Sequence, residues 1–450
     1  MESIVRKFSL AILRLVLRVF FRRIEIAGAE RIPRSGPVLF VLNHPNGLVD
    51  PLFLLCFSPR PVFFLAKAPL FRMPVVGFFT RAFGSIPVYR RQDAGSDVRQ
   101  NRETFAAARR LLERGGVLAL FPEGVSHDEP RLLDFKTGAA RIALGVSAGE
   151  GVRIVPAGLY YTWKSRFRSG ALLFFGEPLH VDAAALDERG EPTPRAAHEL
   201  TRSIEEALSG VTVSAESRES LDLVRRAEKI FSIGEEDEES PLAEELELRR
   251  RFVEGASRLQ KSDPARFESL KTRIVRFEEE RKAAGLPLAH LSAGRLSLWS
   301  LARLIVANLG SLLLLPVAAF GALLHYPAYR LAGFLAERFA RGEEDQVASM
   351  KAGTAALLFP LTWGVLIAAA GLALGTGGAL VAAVLGPASG YSALRARESL
   401  DLLVGRGRAL FFAVARGPAI RRLVAERGAI HEEILRLGRE LDLVAPAPQA

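Results

Sequence analysis

The sequence predicts an α/β domain in which helices cover a mixed sheet, with an N-terminal amphipathic helix before it. A charged helical segment and a C-terminal transmembrane helical region are predicted to follow. Strand-like and helix-like segments alternate from about residue 23 to residue 178, which is typical of a sheet with helices packed on it. Residues 191–295 are rich in Glu, Arg and Leu, and two long stretches after Gly294 carry no charged side chain.

The composition indicates a protein that is partly soluble and partly embedded in a membrane. Hydrophobic residues make up 49% of the 450 residues and charged residues 24%, so the two kinds are concentrated in different segments. The length suggests two or three domains. The single cysteine, Cys56, excludes an intramolecular disulfide. Because it lies in the apolar run 52–57, we expect it to be a core residue.

The charge balance predicts an anionic partner. The net charge is +10 and the pI is about 10.0, and a basic surface attracts anions. The sequence contains no zinc-finger spacing, helix-turn-helix signal or RRM signature, which are the usual signs of nucleic-acid binding. We therefore expect membrane lipids or a phosphorylated substrate as partners, and no nucleic acid.

Residues 1–22 predict a basic amphipathic helix at a membrane interface. Lys7, Arg14 and Arg18 share one face of the helical wheel, and apolar residues spread over the opposite side, the pattern of an interfacial helix. A helix packed on the domain's own core is the alternative. A cleavable signal peptide is disfavoured, because arginines interrupt the apolar stretch and no A-x-A-like site follows.

Residues 23–190 are predicted to form the α/β domain. Each strand candidate is a short apolar run bounded by turn residues. The strand candidates are residues 24–27, 38–42, 62–66, 116–121, 152–158 and 172–175. The clearest helical patterns are residues 98–114 and 138–147.

Residues 191–295 are predicted to form two or three charged helices. An acidic run at 232–240 interrupts them and is expected to be a solvated loop. Residues 397–450 are predicted to form a cytoplasmic helical tail.

Residues 296–396 are predicted to form the transmembrane region, because a spanning helix needs roughly 20 apolar residues. The stretch 304–329 has the length of one span, and 352–394 has the length of two with a turn near 375–378. Pro316 and Pro360 are alternative kinks that would give re-entrant hairpins. Two spans or hairpins keep the flanking basic segments on one side. We expect an inner (cytoplasmic) membrane protein with its catalytic domain facing the cytoplasm.

The segment 43–51, NHPNGLVDP, predicts a catalytic base. His44 follows a strand-like run, and Asp50 lies six residues further on. A neutral imidazole is suited to removing a proton from an attacking hydroxyl, and a carboxylate on its other ring nitrogen fixes the tautomer. Alone, such spacing is more typical of a loop histidine beside a helix-capping aspartate, so the later segments decide the interpretation.

Polar residues also follow other predicted strands. Arg90 and Arg91 end a short strand-like run, and arginine matches phosphate oxygens. The segment 121–126, FPEGVS, closes another strand, and Lys136 stands at the start of a helix. Ligands of α/β sheets bind at the edge where strands end in this way, so we expect these residues to lie along one edge.

Four segments in this order resemble the motifs of the PlsC-type glycerolipid acyltransferases. The family's first motif, NH-x4-D, is similar to residues 43–50, and the second, G-x-I-x-V-x-R, is similar to residues 84–90. The third motif, FPEG with a small or hydroxyl-bearing pair, is similar to residues 121–126. The fourth, a strand ending V-P-x-x-Ile/Leu, is similar to residues 155–159. The resemblance covers about residues 1–185.

The resemblance implies the glycerolipid acyltransferase fold and an O-acyltransferase of phospholipid biosynthesis. An acyl-CoA or acyl carrier protein thioester would acylate a hydroxyl of glycerol-3-phosphate or lysophosphatidate, without a cofactor. His44 would be the general base and Asp50 its partner. The remaining implied residues bind the glycerol-phosphate acceptor: Lys67, Arg90, Glu123, Gly124 and Ser126.

The spacing between His44 and Asp50 departs from the family motif, because five residues separate them instead of four. On one regular helix, positions i and i+6 lie about 120° apart. The pair therefore meets only if the turn at Asn46 and Gly47 absorbs the extra residue, which glycine tolerates. The spacing and the late membrane segments resemble the fungal-type glycerol-3-phosphate acyltransferases, which favours that acceptor.

Two alternative functions remain open. The segment 145–149, GVSAG, matches the G-x-S-x-G elbow of hydrolases, with Ser147 as nucleophile, but that motif requires a preceding strand. A membrane scaffold with a non-catalytic acyltransferase fold is the other. The run His127-Asp128-Glu129 is expected to be a polar loop and not a metal site, because three adjacent ligands rarely converge on one ion.

Overall fold

A computed structural model gives the conformation of most of the chain. It describes residues 2–90, 101–147, 149, 151–188, 190–232, 240–286, 288, 302, 305–306, 309–340, 344–414 and 418–443. The chain divides into two units. Unit 1 comprises residues 1–215, 241–247 and 340–352, and unit 2 comprises residues 216–240, 248–339 and 353–450.

A mixed sheet forms the centre of unit 1, as predicted. The described strands are β1 Phe21–Ala27, β2 Val38–Leu42, β3 Phe63–Lys67, β4 Ile86–Val88, β5 Val117–Leu120, β6 Val152–Tyr161, β7 Ser169–Phe175 and β8 Leu179–Val181. Their order is β1-β7-β6-β2-β5-β3-β4, and β8 pairs with β6. Strands β2, β3, β4 and β5 run parallel, whereas β6 is antiparallel to β7 and β8.

The central strands are buried because they are apolar on both faces. Every residue of β2 and β5 is buried, as expected for parallel strands covered on two sides. Alternate residues of β2 enter different cores: Phe40 belongs to one cluster with Phe53, and Leu39 to another with Leu112. Helices therefore cover both faces of the sheet, which confirms the predicted layers.

The helices of unit 1 differ from the prediction mainly at their ends. They are α1 Glu2–Phe20, α2 Val49–Phe57, α3 Pro74–Ala82, α4 Asn101–Glu113, α5 Gly138–Leu144 and α6 Pro194–Ser209. The helix predicted to reach Ser147 ends at Leu144, because the Gly145 N–H bonds back to the Ile142 carbonyl at 3.2 Å. Strand β8 was not predicted, since three residues carry too little alternation to indicate a strand.

Helix α1 has two apolar faces, of which one is buried in its own domain and the other is exposed, and its location at a membrane interface stays a prediction. Leu17 and Phe20 are buried in the core of unit 1. Ile4, Phe8 and Leu15 lie on another face and are 72%, 67% and 63% exposed. The helix packs on its own domain and also leaves an apolar stripe outside.

The units do not follow the predicted boundaries at 190 and 396. Helix α6 buries Ala197, Ile204 and Leu208 within the core of unit 1, because its apolar face has no other sheet to cover. Residues 241–247 also return to unit 1, where the Leu242 N–H bonds Glu25 Oε2 at 2.7 Å. The charge-rich composition of these segments hid their buried faces.

Charged helices form one part of unit 2. They are α7 Arg218–Phe231, α8 Leu242–Ser262, α9 Pro264–Ala283 and α13 Pro418–Glu440. Ile230, Phe277 and Ile430 share a buried cluster, so the predicted C-terminal tail packs as a helix on the others. The Arg249 guanidinium pairs with Glu228 through two bonds of 2.6 and 3.0 Å. Residues 233–239 of the acidic run lie outside the described residues.

Apolar helices form the other part of unit 2: α10 Leu309–Leu313, α11 Leu315–Ala340 and α12 Glu344–Val414. Among the described residues, one helical stretch, Asp345–Asp401, is long and apolar enough to cross a membrane. The backbone leaves helical geometry at Gly375, where φ is 71°. A Cβ on Gly386 would lie 3.2 Å from Trp363, so the two arms fold back on each other. The predicted turn near 375–378 is confirmed, whereas Pro360 lies inside a regular helix.

The predicted span at 304–329 does not combine the length and hydropathy of a membrane span in the described part of the chain. His325 of this stretch, for which the sequence indicated no partner, accepts a hydrogen bond from Trp363 Nε1 at 2.8 Å. Its Nδ1 donates to the Gly321 carbonyl at 2.7 Å. Both ring nitrogens are thus satisfied, and the imidazole links two apolar helices.

Candidate active site

The candidate site lies at the carboxyl edge of the parallel strands of unit 1. His44 follows β2, Lys67 ends β3, Arg90 follows β4 and Glu123 follows β5. Because β2, β5, β3 and β4 are neighbours in that order and parallel, their carboxyl ends share one edge. The predicted common edge is therefore present in the structure. Arg91, the second arginine of the predicted pair, lies outside the described residues.

His44 and Asp50 are hydrogen-bonded, with 2.8 Å between Nδ1 and Oδ2. Asp50 is fully buried, and its carboxylate also accepts from the Asn46 N–H and the Tyr161 hydroxyl, each at 2.7 Å. Burial and the neighbouring carboxylate hold the pKa of Tyr161 well above its ordinary value, so the phenol stays protonated and donates. The Asp50 carboxylate accepts a hydrogen bond from His44 Nδ1–H, which places the imidazole lone pair on Nε2, and no group among the described residues is bound to that nitrogen.

The turn between the two residues absorbs the extra residue of the motif. Gly47 has φ 37°, and helix α2 begins only at Val49. The N–H groups of Val49 and Asp50 both bond the Asn46 carbonyl, at 3.0 and 3.3 Å. Asp50 therefore stands in the first helical turn and not two turns beyond the histidine, and the predicted role of the Asn46-Gly47 turn is confirmed.

The imidazole is held on several sides. It stacks on the Phe121 ring, with 3.8 Å between centroids and 9° between planes, and it is 16% exposed. The side chain of Asn43 pairs with both backbone groups of Leu159, at 2.7 and 3.0 Å. The end of β2 is thus tied to β6, so the ring has one defined orientation.

Glu123 lies inside the protein, and its carboxylate is engaged by hydrogen bonds from neighbouring segments. Its side chain is fully buried. One carboxylate oxygen accepts from the His44 N–H at 3.2 Å, and the other accepts from the Leu133 N–H at 2.8 Å and from His127 Nε2. The carboxylate therefore joins three segments of the site through its own hydrogen bonds.

Three cations lie along the same edge. Lys67 is exposed at the end of β3, and Arg90 Nη1 donates to the Gly124 carbonyl at 2.8 Å. Gly124 has φ 76°, and a Cβ there would lie 2.7 Å from Lys136 Nζ. Gly124 thus leaves room for the Lys136 ammonium. Ser126, two residues after Gly124, is half-buried.

Sequence reasoning predicted Asn46 only as part of the turn, and it missed three long-range contacts of the site. Tyr161 closes β6 and binds Asp50 across 111 residues. Asn46 is fully buried and donates from Nδ2 to the Lys164 carbonyl at 3.2 Å. Ser349 binds the Leu48 N–H at 2.9 Å. No local pattern marks these residues, because each acts on a segment distant in sequence.

The structure also explains the two segments that resemble other kinds of site, the run 127–129 and the G-x-S-x-G match at 145–149. In the run 127–129, Asp128 pairs with Lys164 while His127 binds Glu123, so their side chains face different partners. Ser147 is exposed in the loop after helix α5, where its N–H bonds Glu113 at 3.3 Å. A nucleophile elbow requires a strand before the serine, so the hydrolase alternative is wrong.

Comparison with known proteins finds similarity to acyltransferases. The family model described as Acyltransferase matches residues 23–160. Glycerol-3-phosphate O-acyltransferase 2 of Saccharomyces cerevisiae is 31% identical over 281 residues, which are 60% of this chain and 36% of the yeast protein. An uncharacterised acyltransferase of Schizosaccharomyces pombe is 25% identical over 409 residues, 71% of this chain and 60% of the relative.

A shorter match is to a plant acyltransferase. The chloroplastic 1-acyl-sn-glycerol-3-phosphate acyltransferase of Arabidopsis thaliana is 31% identical over 145 residues, covering 32% of this chain and 38% of the plant protein. The chain thus spans between about one third and three fifths of the length of these relatives.

Proposed function

We propose that the protein acylates glycerol-3-phosphate as a PlsC-type glycerolipid acyltransferase. Residues 23–160 match the Acyltransferase family model, and the similarity to the fungal glycerol-3-phosphate acyltransferases and to the plant 1-acylglycerol-3-phosphate acyltransferase supports that family. The acyl donor in this proposal is an acyl-CoA or acyl carrier protein thioester, and lysophosphatidate is the alternative acceptor. The observation that carries the proposal is the bonded His44–Asp50 pair, whose Nε2 lone pair is free. The yeast relative, which is named for glycerol-3-phosphate, supports that acceptor over lysophosphatidate.

The proposed reaction needs no protein nucleophile. His44 Nε2 takes the proton of the acceptor hydroxyl while its oxygen attacks the thioester carbonyl. The imidazolium that forms is stabilised by the Asp50 carboxylate, which two further hydrogen bonds hold in place. When the tetrahedral intermediate collapses, the carbon–sulfur bond breaks and the thiolate takes the proton from His44. The products are an ester and a free thiol, and the histidine returns to its starting state.

The acceptor phosphate is proposed to bind the cations of the carboxyl edge. Lys67, Arg90 and Lys136 present positive charge beside the segment 121–126. Arginine and lysine form charge-assisted hydrogen bonds with phosphate oxygens. Glu123 and Gly124 serve this site indirectly in our proposal, because the first ties the segments together and the second makes room for Lys136. Ser126 remains a predicted acceptor contact.

The decisive experiment assays the purified protein with radiolabelled acyl-CoA against glycerol-3-phosphate and lysophosphatidate separately. We expect turnover with glycerol-3-phosphate and a higher kcat/KM for it than for lysophosphatidate. The opposite preference would reassign the acceptor. Lipid binding without turnover from any acyl-CoA or acyl carrier protein donor would favour the scaffold alternative.

We predict that Lys136→Ala raises the KM for glycerol-3-phosphate about tenfold, because a hydrogen bond to a charged group contributes roughly 1.5–3 kcal/mol. The KM for acyl-CoA should stay unchanged, since the thioester lacks a phosphate at the reacting end. Steady-state kinetics with each substrate varied in turn measures both. Arg202→Ala, which removes an exposed cation of helix α6, is the charge-matched control. Equal KM values in both variants would remove Lys136 from the acceptor site.

Membrane association follows from the apolar helices, and we propose the cytoplasmic membrane with the catalytic domain on its cytoplasmic side. The hairpin centred on Gly375 supplies two apolar arms. The exposed stripe of helix α1, with Ile4, Phe8 and Leu15, is proposed to lie in the lipid interface, where such faces bind. The exposed basic side chains of Lys7 and Arg18 on the same helix favour an anionic surface.

We predict that a fluorophore on helix α1 is quenched by lipid-borne nitroxides. Phe8→Cys carries the fluorophore NBD in the full chain reconstituted with doxyl-labelled lipids, and Leu186→Cys, at another exposed apolar residue of unit 1, is the control. Cys56 stays unlabelled, because burial raises the pKa of its thiol to about 12. Quenching several-fold stronger at position 8 is expected, and equal quenching at both positions would place α1 away from the bilayer.

A further inference from the structure

A helical segment far along the chain contacts the turn that joins His44 to Asp50. Residues 340–352 belong to unit 1, and within them Ser349 Oγ accepts a hydrogen bond from the Leu48 N–H at 2.9 Å. The two residues are 301 positions apart in sequence. The contact therefore has to be explained by packing and not by local structure.

The segment is built into the core of unit 1. Ser349 is 8% exposed, and Ala348 is fully buried in the same cluster as Val49 and Phe53 of helix α2. Lys351 Nζ adds a bond to the Ser165 carbonyl at 3.2 Å. Gly47 packs closely against this segment, because a Cβ on Gly47 would lie 3.0 Å from Ser349 Oγ and 3.1 Å from the Asp345 carbonyl.

The Ser349 hydroxyl accepts a hydrogen bond from the Leu48 N–H, a donor that has no acceptor within helix α2. The first N–H groups of a helix lack partners within it. At this helix start, the N–H groups of Val49 and Asp50 find the Asn46 carbonyl, whereas the Leu48 N–H finds Ser349. Without that acceptor the turn would lose the hydrogen bond that ties it to Ser349. The same turn carries Asp50, whose carboxylate lies 2.8 Å from His44.

We propose that Ser349 is a positioning residue for the His44–Asp50 pair. Its hydroxyl fixes the turn at residues 46–48. The conformation of this turn then sets the distance and direction of the Asp50 carboxylate toward His44. The inference rests on the proposed function of that pair. Small displacements at a reacting centre lower the rate steeply, so the effect should appear in kcat and not in substrate affinity.

A double-mutant cycle in the full-length protein tests the inference. We expect Ser349→Ala to lower kcat roughly tenfold, with the KM values of glycerol-3-phosphate and acyl-CoA unchanged. If Ser349 acts through Asp50, its effect should vanish once Asp50 no longer orients the histidine, because coupled residues are not additive. The variant Ser349→Ala/Asp50→Asn should therefore be no slower than Asp50→Asn alone.

Ser169→Ala is the matched control, since Ser169 is 7% exposed and its hydroxyl has no hydrogen-bond partner among the described residues of unit 1. Wild-type kcat is expected in this variant. A wild-type rate in Ser349→Ala, or a double variant tenfold slower than Asp50→Asn, would overturn the role of Ser349. A wild-type rate in Asp50→Asn would instead overturn the proposed function of the pair.

Gly47→Ala repeats the test from the other side of the contact if Ser349→Ala lowers the Tm markedly. The added Cβ would press on Ser349 and the Asp345 carbonyl, at a backbone φ of 37°. We expect a similar loss of kcat that disappears in the Asp50→Asn background. A loss that persists in that background would show that the turn acts on the rate by another route, and the inference would fail.

Discussion

His44→Ala is expected to lower kcat for acyl transfer by a factor of about 10² to 10⁴, the range that general base catalysis contributes. The reason is that the Nε2 lone pair is the only proton acceptor that our mechanism uses. Substrate affinity should change little, because the cations proposed to bind the phosphate lie at or after the ends of β3, β4 and β5, whereas the base follows β2. Transfer of radiolabelled acyl groups under saturating substrates measures the loss.

His180→Ala is the matched control, because His180 lies on the short strand β8 and pairs with Asp182 at 3.0 Å. That variant should retain the wild-type rate. Asp50→Asn should fall between the two, since the histidine remains but loses its ionised partner. A wild-type rate in His44→Ala would end the proposed mechanism and leave the scaffold alternative as the better explanation of the fold.

Glu123→Gln is expected to lower both kcat, by about 10²-fold, and the Tm. The carboxylate accepts hydrogen bonds from the backbone of His44 and Leu133 and from His127. An amide side chain offers one acceptor oxygen, and its NH₂ group would face a donor. Leaving a buried donor unsatisfied costs roughly 1–3 kcal/mol, and the segment bearing His44 would shift. Thermal unfolding and steady-state kinetics measure the two effects.

Glu129→Gln, an exposed residue of the same loop, is the control and should leave the rate and the Tm unchanged. The result distinguishes two roles of Glu123. The family resemblance implies an acceptor contact, which predicts a higher KM for glycerol-3-phosphate and an unchanged Tm. The burial of the carboxylate predicts the reverse, and a variant of normal Tm with only a raised KM would refute the positioning role.

Much of the fold followed from local patterns. Strand β2 occupies the predicted residues 38–42, because a short apolar run between turns has few other uses. Helix α4 was found for a similar reason, since its apolar residues recur at helical spacing. Element ends were less well predicted: the helix at 138 stops at Leu144, where a backbone hydrogen bond, not a sequence signal, ends it.

The unit boundaries could not be predicted in the same way. Helix α6 has a charged outer face, and its composition resembles that of the helices after residue 216, yet it buries Ile204 and Leu208 in unit 1. Likewise, residues 344–352 adjoin the apolar hairpin in sequence but pack in unit 1. Composition reports which face of a helix avoids water, and it does not report which partner covers that face.

The sequence alone determined the candidate base, its acidic partner and the order of the polar segments along one sheet edge. It could do so because parallel strands bring their carboxyl ends together whatever lies between them. Only the tertiary structure decided that His44 and Asp50 meet despite the extra residue, that Tyr161 and Ser349 support them, and that Glu123 faces inward. These contacts join segments distant along the chain, and the packing that creates them has no local signature.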